Sequence, residues 1–537
     1  MNYLLFILLP LPVLLQTPIY TSNGYIQGSR KKVDNSFVYE YLGVPYAKPP
    51  IKELRFKKPL PYEFSSNIFY ANKTARTCFQ QIPTHLYKRS HDIWTAQNRM
   101  SEDCLQLNIW IPVIKTGSVI IFFHGGGLYQ GSGSLNIYDG SKFAVESKAI
   151  IVTVNYRLGI LGFSKLGYEI PENIGLLDQQ MAIKWIHKNI RNFGGYNDMV
   201  TIYGDHSGGS TASAHIFSRE SIKYFNRLIL SSGTVLNLWS TKNPYYIESS
   251  TRKFAKLMNC DRETDKEIIN CLQNIKVTKF FKNNYLSINN FHDMIHYPFV
   301  ISSEDNVFFN GNIKKKFSNG EMYKYIDIFI GHKKDEGSSI MERFFRLPNC
   351  TNNVNKKCDK NYYFEKALTS ISKSLGFSKE YQSHLKALYS DVGDRREQLL
   401  RLISEFLIEC PMLQFAYKYS KIGYSPPYYF IFDNKLDANI TEYVFGYPFR
   451  NESFYKNKNI QIEKLISNSI MKIWGFFSFT GSPAPEWRKF TFMNYEAGII
   501  NKHITDKHPQ KYIEDTYHKR CHFIENPDKF IKWLKEN

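Results

Sequence analysis

"VTIYGDHSGGS", residues 200–210, decides the fold. An apolar β-type run, Val200 to Tyr203, meets a glycine-bounded turn and then the small residues of a helix start. This is the layout of a strand–turn–helix that lifts the central residue of G-x-S-x-G above a sheet. Here the five positions read Gly204-Asp205-His206-Ser207-Gly208, so His206 stands at the serine position and Ser207 comes one residue late. A motif centred on Ser207 would need glycine at 205, where Asp205 stands, so slippage would strain the tight turn.

The same grammar recurs on both sides. "SVIIFF" ends in "HGGG", "AIIVTV" in "NYRLG", and "RLILSSG", "YIDIFIG" and "YYFIF" follow. Between them "LLDQQMAIKWIHKNI" sets Leu177, Met181, Trp185 and Ile186 at helical spacing. Continuous apolar strands alternating with amphipathic helices imply an α/β fold, a large mostly parallel central sheet with helices on both faces. Sites in such sheets form at the carboxyl ends of the strands, where these Gly-rich turns fall.

Composition sets bounds. The 537 residues are 43% hydrophobic and 22% charged, an ordinary globular balance, and no linker, repeat or low-complexity tract divides them. The expectation is one domain over residues 18–537. Residues 1–17, with an apolar run from Leu4 to Leu15, read as a secretory signal, too short for a membrane span. No later run approaches the about 18 apolar residues of a transmembrane helix. The expected product is soluble and extracellular.

Eight cysteines in such a chain favour disulfides, and the lack of any C-x-x-C pair argues against zinc, so no metal or cofactor is expected. Sequons at Asn72, Asn349, Asn439 and Asn451 fit the same compartment as glycosylation sites. The formal charge of +20 is scattered, with short clusters such as "SRKKV" and "KKK", and no nucleic-acid signature accompanies it. It reads as a solvated basic surface or as attraction to acidic partners.

Several stretches then give a specific resemblance. "SEDCLQLNIW", "HGGGLYQGSG", "NYRLGILGF", "NIGLLDQQMAIKWI", "NFGGYNDMVTIYGDHSGG", "GHKKDEGS" and "EYVFGYPF" occur in the order of the type-B carboxylesterase and cholinesterase family, across nearly the whole chain. "DIWTAQNRMSEDC" is most similar to the cholinesterases. The resemblance implies an α/β-hydrolase fold. It also implies disulfides Cys78–Cys104, Cys260–Cys271 and Cys410–Cys521, which leaves Cys350 and Cys358 for a local loop. Arg55 with Glu102 resembles the family's structural salt bridge.

The family's chemistry needs a nucleophile, a histidine that takes its proton, a carboxylate that orients the histidine, and N–H donors for the oxyanion. The resemblance places Gly126, Gly127 and Ser207 as those donors, although the same glycines also suit a turn needed only for its backbone shape. It places Glu336 as the acid. The nucleophile position holds His206. Counting back nine residues from Gly446, where the family has its histidine, gives Asp437. A carboxylate of ordinary pKa, about 4, cannot serve as that base at neutral pH.

With two triad positions replaced, the expectation is a protein that kept the fold and lost the reaction, acting by binding a protein, a glycan or a small hydrophobic ligand. A protonated His206 between Asp437 and Glu336 would neutralise the pair. The alternative is a hydrolase with unorthodox residues, using Ser207 or His206. Trp94, Trp239 and Asp205 are assigned to the ligand pocket, the tryptophans equally readable as core. Ser339 and Ile340 follow Glu336 where cholinesterases carry aromatics, which speaks against a complete cation cage, and the basic chain would repel a cation. The segment 460–477 would support a homodimer, by analogy with the family.

Overall fold

The structure, a computed structural model, describes residues 18–81, 92–282, 284–288, 290–345, 360–434, 438–455, 459–504, 510–512 and 520–521. The signal reading at residues 1–17 and the expectations at Asn349, Cys350, Cys358 and Asp437 lie outside the described residues.

The central sheet has eleven strands. In chain order they are β1 (Ser29–Val33), β2 (Ser36–Pro45), β3 (Gln106–Pro112), β4 (Val119–Phe123), β5 (Ile150–Val154) and β6 (Val200–Asp205). β7 (Arg227–Ser231), β8 (Asp327–Lys333), β9 (Tyr428–Phe432), β10 (Glu496–Ile500) and β11 (Gln510–Tyr512) follow. Their spatial order is β11-β10-β9-β8-β7-β6-β4-β5-β3-β2-β1. The seven strands from β10 to β5 pair in parallel. β11 at one side and β3, β2 and β1 at the other add antiparallel.

Both faces of this sheet are covered, which explains the unbroken apolar runs. All five residues of β4 are buried, and its side chains alternate between two cores. Val119, Ile121 and Phe123 join the core that takes Leu176, Ile183 and Ile186 of helix α1 (Ile174–Asn189). Ile120 and Phe122 join the opposite core, with Ile470, Trp474 and Phe477 of helix α4 (Ile460–Thr480). Each fully buried side chain of this size contributes about 1.5–3 kcal/mol. The helical spacing read from Leu177, Trp185 and Ile186 is thus the spacing of a buried face.

Among the described residues three disulfides close, Cys78–Cys104, Cys260–Cys271 and Cys410–Cys521. Arg55 grips Glu102 with two hydrogen bonds, Nε to Oε1 at 2.5 Å and Nη2 to Oε2 at 2.8 Å. Its Nη1 donates to the Leu272 and Ile275 carbonyls, tying the first disulfide's segment to the second's. Beside Cys521, Arg520 Nε donates to the buried Glu405 at 3.0 Å. Glu405 also accepts from Arg401 and from the Tyr389 hydroxyl. Multiple donors are what a carboxylate needs in order to stay charged in the interior. Among the described residues no helix is long and apolar enough to cross a membrane.

Candidate functional site

The site is built at the carboxyl ends of β6, β7 and β8. β6 runs into a sharp turn at His206, with φ 50° and ψ −116°, and then into helix α2 (Ser207–Ala214).

 The non-glycine positive φ marks the elbow, and His206 occupies it. The turn depends on small residues around it: a Cβ at Gly208 would lie 2.0 Å from the Phe123 carbonyl oxygen. Ser207 is the first residue of α2 and is fully buried. Its Oγ accepts from the Leu128 N–H at 3.3 Å, so the hydroxyl faces the loop after β4.

His206 lies between two carboxylates. Its Nε2 is 3.2 Å from Glu336 Oε1, and its Nδ1 is 3.6 Å from Asp205 Oδ1, an ion-pair distance beyond hydrogen-bond length. The carboxylates are 3% and 7% exposed, while a third of the imidazole faces the cavity above it. Burial disfavours the imidazolium, but Asp205 and Glu336 outweigh it and hold the His206 pKa well above its ordinary value. Burial would likewise raise Glu336, yet His206, then Lys333 and the Ser232 hydroxyl, bring it down to about 2. Ser232 Oγ and the Lys333 N–H both donate to Glu336 Oε2, at 2.6 and 3.1 Å. The sequence reading paired His206 with Glu336 and Asp437; Asp437 lies outside the described residues, and among those described the second carboxylate at His206 is Asp205, the residue just before it in the chain.

The oxyanion positions line the same space. Gly126 has φ 118° and Gly127 φ 66°. A Cβ at Gly126 would lie 2.1 Å from the Gln130 carbonyl oxygen, so this loop admits only glycine there. Among the described residues neither glycine donates its N–H to a protein acceptor.

Above these groups opens a cavity of ≈ 370 Å³. Its walls carry six aromatic side chains, Trp94, Tyr129, Tyr138, Trp239, Tyr297 and Phe344, with Ser339 and Ile340 beside them. Trp94 packs edge-on against Tyr138, ring centres 6.1 Å apart, and Trp239 donates its indole N–H to the Leu407 carbonyl. Both tryptophans are therefore half-buried wall residues, held by contacts on one side and open to the cavity on the other. The aromatic lining is richer than the Ser339–Ile340 stretch suggested, because Tyr129, Tyr138, Tyr297 and Phe344 come from other segments. The charged lining also departs from the basic chain as a whole: Asp205, Glu336 and Glu442 face His206 and Lys333.

Asn439 changes the reading of its sequon. It caps helix α3 (Ile440–Val444), accepting from the Thr441 N–H, while Glu442 returns a carboxylate to the Asn439 N–H. Its Nδ2, the atom a glycan would occupy, donates to Asp205 Oδ2 at 3.1 Å inside the cavity. A glycan there would have to displace both contacts. Glycopeptide mapping of protein made in a secreting eukaryotic host is expected to find Asn439 unmodified. Asn72 is exposed, and Asn451 is half-buried with its Nδ2 on the Tyr447 hydroxyl.

Glu442, Lys333 and Ser232 are site residues that the sequence reading missed. The N-x-x-E spacing of Asn439 and Glu442 is a capping-box signal that would have found the first. Nothing local in the sequence marks Lys333 or Ser232; they reach the site because β7 and β8 end there.

A strand, a strained turn and a helix above a largely parallel sheet, with a carboxylate at the end of the second strand over, define the α/β-hydrolase class. The model of the carboxylesterase family matches residues 16–524, and the chain belongs to that family. It is 30% identical over 517 residues to acetylcholinesterase 4 of Caenorhabditis briggsae, spanning 88% of this chain and 82% of that protein. It is 30% identical over 496 residues to the cholinesterase of Mus musculus, spanning 87% and 79%. The acetylcholinesterase of Bungarus fasciatus is 29% identical over 485 residues, spanning 87% and 78%.

Proposed function

We propose that this chain is a secreted, non-catalytic member of the carboxylesterase family that holds a small ligand in its aromatic cavity. The observation that carries the reading is His206 at the elbow, with its Nε2 3.2 Å from Glu336. An imidazolium bound between two carboxylates has no lone pair to offer a carbonyl carbon, so it is neither nucleophile nor base. Ser207 is a poor substitute, since its hydroxyl is buried and turned toward the Leu128 N–H. The acid and the oxyanion donors without a nucleophile leave a binding site. The volume and lining suit that use, since ligand cavities of about 300–1,000 Å³ with apolar walls and few polar groups are the common form.

The test is a fluorophosphonate probe on folded, oxidised protein, read by intact mass, alongside turnover of phenyl acetate. No adduct and no turnover above buffer are expected. An adduct mapped to Ser207, or turnover lost on its replacement, would overturn the reading and support an unorthodox hydrolase.

A further inference from the structure

The end of the sheet opposite the cavity carries a second surface. β4, β5 and β6 start there, β3 ends there, and the hairpin from β1 to β2 turns there. The loop from β3 to β4 presents Val113 and Ile114, 49% and 68% exposed, with Lys115 beside them. Tyr196, in the segment before β6, is 53% exposed. Backbone bonds tie these segments together: the Val113 N–H donates to the Phe37 carbonyl, Thr116 to that of Lys148, and Tyr196 to that of Gly117.

Positive charge gathers on the same face. Arg30, Lys32, Lys115, Lys148, Lys188 and Arg191 are exposed and make no ion pair among the described residues. The Arg30 guanidinium lies over the Phe37 ring, 3.7 Å from its centre, and Arg191 donates to the Asn197 side chain. Asp34, at the hairpin, is held by Lys142, and Lys31 is held by Asp139 and Glu40, so these charges cancel locally. The six cations therefore face one exposed, unpaired carboxylate in these segments, Asp198. Single exposed apolar residues are ordinary, and so are single exposed lysines. An aliphatic tip ringed by cations that lack counter-charge is the pattern of a surface that lies on a membrane.

We propose that this end of the sheet docks on an anionic lipid bilayer. Val113 and Ile114 enter the boundary between head groups and acyl chains, and the surrounding cations meet the acidic heads. The aliphatic tip favours a bilayer over a sulfated glycan, because it gains by leaving water and has no donor or acceptor to give a hydrated polysaccharide. The cavity, at the other end of the strands, stays open to solution.

The experiment is flotation of the full, disulfide-bonded protein with vesicles of phosphatidylcholine alone or with phosphatidylserine, at low and high salt. Partition to the anionic vesicles is expected to be at least about tenfold stronger and to fall as salt rises. Val113→Ser with Ile114→Ser should weaken it by about tenfold and leave the salt dependence in place. Arg30→Ser with Lys115→Ser should weaken it by about tenfold and flatten the salt dependence. Lys314→Ser with Lys315→Ser, exposed lysines elsewhere in the chain, should leave it nearly unchanged. These changes fall on exposed side chains, and near-ultraviolet circular dichroism checks that each variant is folded. No binding to anionic vesicles would overturn the proposal, as would equal binding to both kinds. So would an unchanged partition in the Val113 and Ile114 variant, or an equal loss in the Lys314 and Lys315 variant. Capture on heparin through Arg30 and Lys115 without vesicle binding would overturn it in favour of a sulfated glycan.

Discussion

His206→Ala is expected to lower the folding stability by about 3 kcal/mol at neutral pH, measured by denaturant titration. Removing one member of a buried charge group leaves the others uncompensated, which typically costs about 3–5 kcal/mol. The lower end applies because a third of the imidazole is open to the cavity, where water screens it. Asp205 and Glu336 would then face each other, with Asn439, Ser232 and the Lys333 N–H as their donors among the described residues. Glu336→Gln added to His206→Ala should recover part of the loss, because one of the two opposed charges is gone. Equal stability of His206→Ala and the parent would show that the imidazole is not the cation of the site.

The pH dependence follows from the direction of each shift. The folded pKa of His206 is raised, so its contribution is complete below the unfolded value of about 6.5 and is lost as pH rises through the folded value. Glu336 is depressed to about 2, so its contribution is present above its ordinary value and is lost as pH falls through about 2. The gap between parent and His206→Ala should therefore be widest from about pH 5 to neutrality. It should narrow in acid, where the variant's carboxylates take up protons, and again in alkali, where the parent's imidazolium loses its own.

Much of this was legible in the sequence, and the limits have physical causes. The elbow announced itself because Gly204 and Gly208 are required by close backbone contacts that no other residue tolerates, so the substitution at 206 stood out against fixed neighbours. The sheet was legible because strands buried on both faces write unbroken apolar runs, as in Val119 to Phe123. The partners of His206 were harder. Glu336 came through the family resemblance, but Asp205 was read only as a residue blocking a slipped motif and as part of the pocket. In an elbow the chain reverses so sharply that neighbours along the sequence become neighbours across the site, a geometry no residue spacing displays. Lys333 and Tyr297 were invisible for the related reason that a cavity wall is assembled from segments far apart in the chain.

Restoring both replaced positions should restore hydrolysis, and restoring one should not. His206→Ser puts a hydroxyl at the elbow, with Gly126 and Gly127 in place and Glu336 at the end of β8. That serine still lacks a base, and a neutral hydroxyl is a weak nucleophile without one. Asp437→His alone supplies an imidazole with nothing to activate. Triad members act as a unit, so their effects are strongly non-additive. The double variant His206→Ser with Asp437→His is therefore expected to hydrolyse phenyl acetate on the order of 10³-fold faster than either single variant, the scale of general acid–base assistance. The double variant should also take up the fluorophosphonate at position 206, where none is expected on the parent. Glu336 would then orient the new histidine in place of holding His206, so Glu336→Gln in that background should reduce the gained rate. A double variant that folds with its disulfides closed and remains as slow as the single ones would mean that the segment around Asp437 does not deliver a side chain to the elbow, so that the loop as well as the two residues stands in the way of hydrolysis.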